Sequence, residues 1–405
     1  MAEAPLSLEE IAHNALSFRV NGIQLASSYD PRAEALLQAE VLPREAQLTL
    51  YGMGLGHLPE LLLRRSELTE LRIILLNRAL FLTLLSRLDM SAWLQDERLE
   101  LGLGVNVDRI ETPSFALPGD LGVAEDGAWK IRDHLVARAQ EDFVNRRFSV
   151  DNPELRERIN ANRQLVDLDR DVSELFGSCP GREFWVVGSG PSLSESAPKL
   201  ALRQSQGAPE QRPLVIAADT ALRPLLGSGL KVDYVVSIDP FLKLEYFDGV
   251  ATEELALIYF PLVPPEVLTA FRGTRFTALS RSPLYEALRA AGKGELWSGG
   301  SVIHPAIDLA VQMGASKVTL AGVDFAFVYG RTHAGWEDGE LGKDLLKARH
   351  WVKSWRGEKL RTNPNFAGYL CALEDYIRSR PRLTFLSASD RGALIAGASV
   401  DSELI

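Results

Sequence analysis

Apolar positions along the chain alternate between two periods. Short runs in which nearly every residue is apolar fit strands buried on both faces, and longer stretches with apolar residues three and four apart fit amphipathic helices. Residues 1 to about 45 show helical spacing at Leu8, Ile11 and Ala15 and again from Ala33 to Leu42, punctuated by Pro31 and Pro43, which predicts a helical lead-in. LTLYGMGLG (48–56) then predicts a strand entering a Gly-rich turn, and HLPELLLRRSEL a helix with its leucines on one face. RIILLN (72–77) and RLELGLG (98–104) predict two more strands, with a helix over ALFLTLLSRLDMSAWL between them. Strands and helices in alternation predict a small parallel α/β unit.

From Asp120 to Cys179 the apolar positions thin out and HLVARAQEDFVNRRF and LRERINANRQLVDLDRDVSELF keep helical spacing, which predicts a helical connector. Alternation restarts at FWVVGSGPSL (184–193). LVIAAD (214–219) and DYVVSID (233–239) read as strands ending in acids, and ALRPLLGSGL between them as a short helix with a Gly stop. Further strands are predicted at LALIYF, RFTAL and KVTLAGVDF, with a helix at DLAVQMG. Beyond His333 helices are predicted through DLLKARHWVKSW and FAGYLCALEDYIRS, before LTFLSASDRGALIAG. The expected fold is α/β: two Rossmann-like units, a smaller N-terminal one (1–119) and a larger central one (180–335), joined by a helical connector (120–179). A C-terminal helical cap (336–405) follows, with a final strand packing on the central unit.

A chain of 405 residues exceeds one ordinary core, in keeping with that division. A net charge of -10 argues against non-specific binding to nucleic acid or membrane surfaces, both polyanionic. No apolar run approaches the ~20 residues of a membrane span, and MAEAPLSLEE lacks the features of a signal peptide, so the expected location is the cytoplasm. Cys179 and Cys371 have no metal-binding or redox spacing, and no histidines form an HxxxH or HxH pair, so neither a metal nor a cofactor is expected.

Ligands of open parallel sheets collect at the carboxyl ends of the strands. Those ends carry Gly188, Ser189, Gly190, Asp219, Asp239 and Asp324. Gly188 and Gly190 allow a tight bend and close approach to a phosphate, Ser192 can cap the next helix, and the helix N-terminus offers N–H donors. Asp219, followed by Thr220, and Asp239, followed by Pro240, end apolar strands, where a carboxylate either meets a ligand or caps a helix. Ser298, Gly299, Gly300 and Ser301 form a second small-residue turn, either an anion site or a flexible loop. In GVDFAFVYGRTHAGW, Asp324 ends a strand and Arg331 and His333 follow in the loop, with His333 the first choice as a neutral-pH base. His304 is expected to be a hydrogen-bonded structural histidine, and His13, His134 and His350 to sit solvated on polar helices. The GMGLG turn of the first unit lacks a following acid, since the next strand ends in Asn77, and a structural or protein-binding role is expected there.

VVGSGPSL, AADTALRPLLGSGLKVDYVVSIDP, SGGSVIHPAIDLAVQMGASKVTLAGVDFAF and GRTHA together resemble the central domain of the motility accessory factor family of flagellin glycosyltransferases. GEKLRTNPNFAGYLCALEDYI and SDRGALI resemble that family's helical cap, and LTLYGMGLGHLPELLL its N-terminal domain. The resemblance implies transfer of a nonulosonic acid, pseudaminic or legionaminic, from a CMP-activated donor to serine or threonine hydroxyls of flagellin. The donor turns are also similar to metal-independent CMP-sialic acid transferases, which implies inversion at the sugar carbon. On that likeness Gly188, Ser189, Gly190, Pro191 and Ser192 would cradle the CMP phosphate. Asp219, Thr220 and Asp239 would line the nucleotide and sugar site, Ser298 to Ser301 would meet the donor, and His333 would deprotonate the acceptor, with Asp239 and Asp324 beside it and Tyr329 and Arg331 as candidates for stabilising the departing phosphate. The GxGPSL turn is likewise similar to archaeal pterin pyrophosphokinases, which use acids and Mg²⁺; a flagellin-binding scaffold without catalysis is the third reading.

Overall fold

The computed structural model describes residues 7–12, 16–105, 107–147, 151–208, 211–290, 292–335 and 350–405, with side chains of 140–147 outside that description. The chain forms two compact units, Met1–Gln140 and Glu141–Ile405.

The first unit opens with strands, not with the expected helical lead-in. β1 (Leu8–Ala12), β2 (Leu16–Val20) and β3 (Ile23–Gln24) pair antiparallel, and α1 (Pro31–Val41) follows. The cause is legible in hindsight: Phe18 and Val20 alternate with polar neighbours and are buried, and Asn21 and Gly22 both adopt positive φ (49° and 82°). Asn-Gly is the pair that a two-residue hairpin turn favours. Next come β4 (Gln47–Tyr51), α2 (His57–Leu62), β5 (Glu70–Leu75), α3 (Arg78–Leu85), α4 (Ser91–Leu94), β6 (Leu99–Leu103) and the unforeseen β7 (Ser114–Ala116). The four strands form a parallel sheet in the order β6-β5-β4-β7. Leu50, Leu71 and Ile73 lie in its buried core, as continuous apolar strands require when both faces are covered.

After α5 (Pro118–Gly122) and α6 (Trp129–Arg147), the second unit begins with α7 (Pro153–Ala161), α8 (Arg163–Leu168) and β8 (Arg170–Asp171). It continues with β9 (Glu183–Val187), α9 (Leu193–Gln206), β10 (Leu214–Ala218), α10 (Leu222–Leu225), β11 (Tyr234–Ser237) and β12 (Ala256–Tyr259). Then follow α11 (Pro265–Ala270), β13 (Thr274–Thr277), α12 (Glu286–Arg289), α13 (Ile303–Met313) and β14 (Lys317–Ala321). The described remainder is β15 (His350–Lys353), β16 (Lys359–Thr362), α14 (Pro364–Arg378), β17 (Thr384–Ser387) and β18 (Ser399–Val400). Nine of these strands form one parallel sheet, β18-β17-β14-β9-β10-β11-β12-β13-β8. The chain therefore runs outward from β9 through β10 to β13 and then crosses back to β14 on the other side of β9. That reversal opens a crevice at the carboxyl ends of β9 and β14.

Three expectations change here. The first half of the helix read through DLLKARHWVKSW, 344–349, lies outside the described residues, and its second half begins as a strand: β15 pairs antiparallel with β16. His350 is thus on a hairpin and not on a helix. His134 is buried on α6 instead of solvated, and His13 lies outside the described residues.

Candidate functional site

A cavity of about 1770 Å³ opens at the carboxyl ends of β9 to β14. Ligand pockets commonly span ~300–1,000 Å³, so this one has room for a nucleotide-linked donor with part of an acceptor. Its walls include Gly188, Ser189, Gly190, Asp219, Thr220, Asp239, Ser298, Gly300, Ser301, Asp324 and His333. Pro191, Ser192, Gly299, Tyr329 and Arg331 are not among the residues that line it.

The GSGPSL turn joins β9 to α9, as expected, but its amides are turned inward. Gly188 N–H donates to Ala321 O (2.8 Å), Gly190 N–H to Gly322 O (2.7 Å) and Ser192 N–H to the Asp324 carboxylate (2.8 Å). Pro191 has no N–H to give. Three of the turn's amides are thus engaged by the chain's own oxygens, while no hydrogen-bond partner for Ser189 N–H is found among the described residues. The glycines have another cause: a Cβ at Gly188 or Gly190 would stand 2.6 Å from Gly322 O, and one at Gly190 2.6 Å from Asp324 Oδ2. They let the turn after β9 pack on the turn after β14. Ser192 does not cap α9; its Oγ donates to Asp324 Oδ1 (2.5 Å). Asp324 is thereby a clamp of the turn, with its carboxyl pushed up to about 6 by burial, against the Ser192 hydrogen bonds.

Asp219 is buried at the end of β10, accepting from Ser237 Oγ (2.6 Å) and Thr220 N–H (2.7 Å). Burial, reinforced by the neighbouring Asp239, pushes it up to about 7 despite the Ser237 bond. Asp239, after β11, is also raised by burial; it accepts from Phe241 N–H (2.8 Å) and feels the opposing charge of Arg158, whose guanidinium bonds Pro240 O. Two carboxyls in one wall, one of them held near its protonated form at neutral pH, can accept from and donate to sugar or ribose hydroxyls.

The SGGS turn keeps donors in reserve. His304 Nδ1 accepts from Gly299 N–H (3.0 Å) and Ser301 N–H (3.3 Å), while Nε2 donates to Tyr369 O (3.0 Å), so the imidazole is neutral and burial holds it down at about 4. This is the structural histidine expected. No hydrogen-bond partner for the N–H of Gly300 or Val302 is found among the described residues, and both precede the eleven-residue α13. Two such amides at the start of that helix are suited to an anion.

The C-terminal helix supplies a wall that the sequence reading did not foresee. Tyr369, Tyr376 and Arg380 line the cavity, and Tyr376 stacks on Trp297 at 4.3 Å between centroids. Asp308 fixes this wall, accepting from Trp297 N–H (2.8 Å) and Tyr376 Oη (2.5 Å). The signal was present: Phe366, Tyr369, Leu373 and Tyr376 recur at helical spacing in the predicted helix.

His333 lines the cavity beside the Gly turn, its loop tied there by Ala334 N–H to Ser189 O (2.7 Å). Its Nδ1 is shielded from solvent and has no hydrogen-bond partner among the described residues. Burial pushes its pKa down to about 4, so the ring is neutral and basic in form at pH 7. Tyr329 and Arg331 are exposed and stand away from the cavity; Tyr329, in left-handed backbone (φ 55°), bonds Glu195 instead. Neither is brought to the place where a phosphate would leave.

Among the described residues no group of three or more His, Cys, Asp or Glu is arranged to hold a metal, and no helix is long and apolar enough to cross a membrane. No curated protein matches the chain. Among solved structures it is similar to the structure of MAf glycosyltransferase from Magnetospirillum magneticum AMB-1, at 15% identity and a TM-score of 0.48, over 98% of this chain and 70% of that one. Residues 158–330, which carry most of the cavity, match the family described as 6-hydroxymethylpterin diphosphokinase MptE-like.

Proposed function

We infer that the protein is a glycosyltransferase moving a nonulosonic acid, pseudaminic or legionaminic, from a CMP-activated donor to serine or threonine hydroxyls of flagellin in the cytoplasm. The observation that carries this reading is His333: a neutral imidazole in the wall of a cleft large enough for donor and acceptor. A hydroxyl there loses its proton to the imidazole as its oxygen bonds the anomeric carbon from the face opposite the leaving group. The bond from that carbon to the phosphate oxygen breaks, its electron pair leaving with CMP. Inversion follows from the single displacement, and no metal is required by it. Gly300 and Val302 N–H, at the start of α13, are suited to the phosphate as its charge grows. Asp219 and Asp239 suit ribose or sugar hydroxyls, while Asp324 holds the turn that positions His333. The test is incubation of the protein with flagellin and each CMP-nonulosonic acid, with intact-mass measurement of flagellin. A sugar-sized mass gain with CMP release supports the reading, and unchanged flagellin with every donor overturns it.

The family match favours a second reading, Mg²⁺-dependent diphosphoryl transfer from ATP to a pterin, with Asp219 and Asp239 as the acids. Formation of AMP from ATP and 6-hydroxymethylpterin, abolished by chelator, would establish it. Glycosyl transfer is expected to survive the chelator.

A further inference from the structure

The two parallel sheets end differently. The nine-stranded sheet finishes at both edges in strands of two residues, β18 and β8, a common way of blunting an edge against other chains. The four-stranded sheet of the first unit finishes in the five-residue β6, sequence LELGL, with Leu101, Leu103 and the following Val105 exposed at 41%, 44% and 39%. Exposed leucines on a full-length edge strand need a partner or a reason.

The backbone says which groups are available. Arg98 O accepts from Leu71 N–H (2.9 Å) and Gly104 N–H donates to Leu75 O (2.8 Å), both toward β5. In a parallel strand alternate residues turn both of their polar groups to the same neighbour. Leu99, Leu101 and Leu103 therefore direct their polar groups away from β5; Leu99 N–H donates to Asp96 O (3.0 Å), and no partner for Leu99 C=O or for the N–H and C=O of Leu101 and Leu103 is found among the described residues.

The geometry points to β6 as a two-fold interface with a second copy of this chain, the two edge strands pairing antiparallel about Leu101. That register is self-complementary. Leu101 faces Leu101 of the other copy as a hydrogen-bonded pair and Leu99 faces Leu103, so the N–H and C=O of Leu101, the N–H of Leu103 and the C=O of Leu99 all find partners, while Leu99 N–H keeps its bond to Asp96 O. Side chains match too: Leu99, Leu101 and Leu103 share the face of Leu71, Ile73 and Leu75, so leucines of both copies meet on one face of a continuous sheet. Glu100 faces Gly102, not its own copy, and its charge is already met by Arg72 at 3.4 Å. No like charges are opposed.

The test is sedimentation analysis of the full chain over a dilution series, with three variants. The wild type is expected at twice the chain mass. Leu101→Pro removes an N–H that faces away from β5, so the four-stranded sheet survives while two inter-copy hydrogen bonds are lost; the dissociation constant is expected to rise roughly thirtyfold. Leu103→Lys, which needs no backbone change, is expected to weaken the dimer in the same direction. Leu101→Cys is expected to yield an oxidised dimer whose disulfide maps by peptide mass spectrometry to position 101 in both copies, since directly opposed residues lie within disulfide reach. A wild type that is monomeric at every concentration, including one that binds a strand of another protein instead, overturns the proposal. So does a dimer that both substitutions leave intact and that does not cross-link at position 101.

Discussion

The carboxylate of Asp324 accepts both the N–H (2.8 Å) and the Oγ–H (2.5 Å) of Ser192, 132 residues earlier in the chain. The first unit repeats the device: Asp120 accepts from Met53 N–H (3.0 Å) and Gly54 N–H (3.1 Å) in the GMGLG turn and is likewise buried. In each unit an aspartate from a later segment fills the place an anion would take beside a Gly-rich turn. Asp324→Ala strands two buried donors, and urea unfolding is expected to show a loss of ~2–3 kcal/mol, with a smaller loss for Asp324→Asn, which keeps one acceptor. Asp120→Ala is expected to cost a similar amount while leaving transfer activity unchanged once the protein is folded.

Stability should rise on mild acidification. Asp219, at about 7, and Asp324 and Asp120, each at about 6, all hold protons more tightly than an unfolded aspartate at ~3.9. Their favourable contribution is complete below ~pH 4 and is lost as pH rises through 6 to 7. The unfolding free energy is expected to increase from pH 8 to pH 5.5, by at most ~1.4 kcal/mol per pH unit for each group titrating. Asp219→Asn is expected to flatten the upper part of that curve; an unchanged slope in the variant would show that Asp219 titrates normally.

His333→Ala is expected to lower the turnover of sugar transfer ~10²–10⁴-fold while leaving CMP affinity within a few-fold, because the imidazole is assigned to the acceptor proton and not to the nucleotide. With its pKa at about 4 the ring stays neutral from pH 6 to 8, so its titration gives no slope in turnover there. Rates and calorimetric CMP binding measured side by side check both statements.

Gly300 has φ +98°, and a Cβ there would stand 2.8 Å from a ring carbon of Tyr369. Gly300→Ala is expected to displace the SGGS turn and raise the KM for the donor about tenfold or more, with a smaller effect on unfolding. Gly190→Val acts otherwise: its side chain meets Gly322 O and Asp324, so weaker CMP binding is expected together with a clear drop in melting temperature.

The strands of both sheets were largely legible because they are buried on both faces and read as apolar runs; Phe184 to Val187 and Val215 to Ala218 are almost wholly enclosed. The strand-end acids and His333 were legible for the same reason, since polar residues closing apolar runs mark the carboxyl ends where ligands collect. The opening hairpin was missed because its strands are short and Asn21-Gly22 was not weighed as a turn. Which amides the two small-residue turns keep available was not legible at all. GSGPSL and SGGS look alike as strings, and only the tertiary partners, Gly322 O and Asp324 for one and His304 for the other, decide which amides remain available. Tyr369 and Tyr376 were read as part of a helical cap, since helical spacing shows a face but not what it covers.

The central claim is that a cytidine monophosphate sugar is held at the carboxyl ends of β9 to β14. Crystals grown with CMP test it most directly. The account predicts density for the phosphate at the N–H groups of Gly300 and Val302, the ribose toward Asp219 or Asp239, and His333 beside the remaining space. Nucleotide bound at the GMGLG turn of the first unit, or cradled by Gly188 to Ser192 after their bonds to Gly322 and Asp324 have broken, would contradict it.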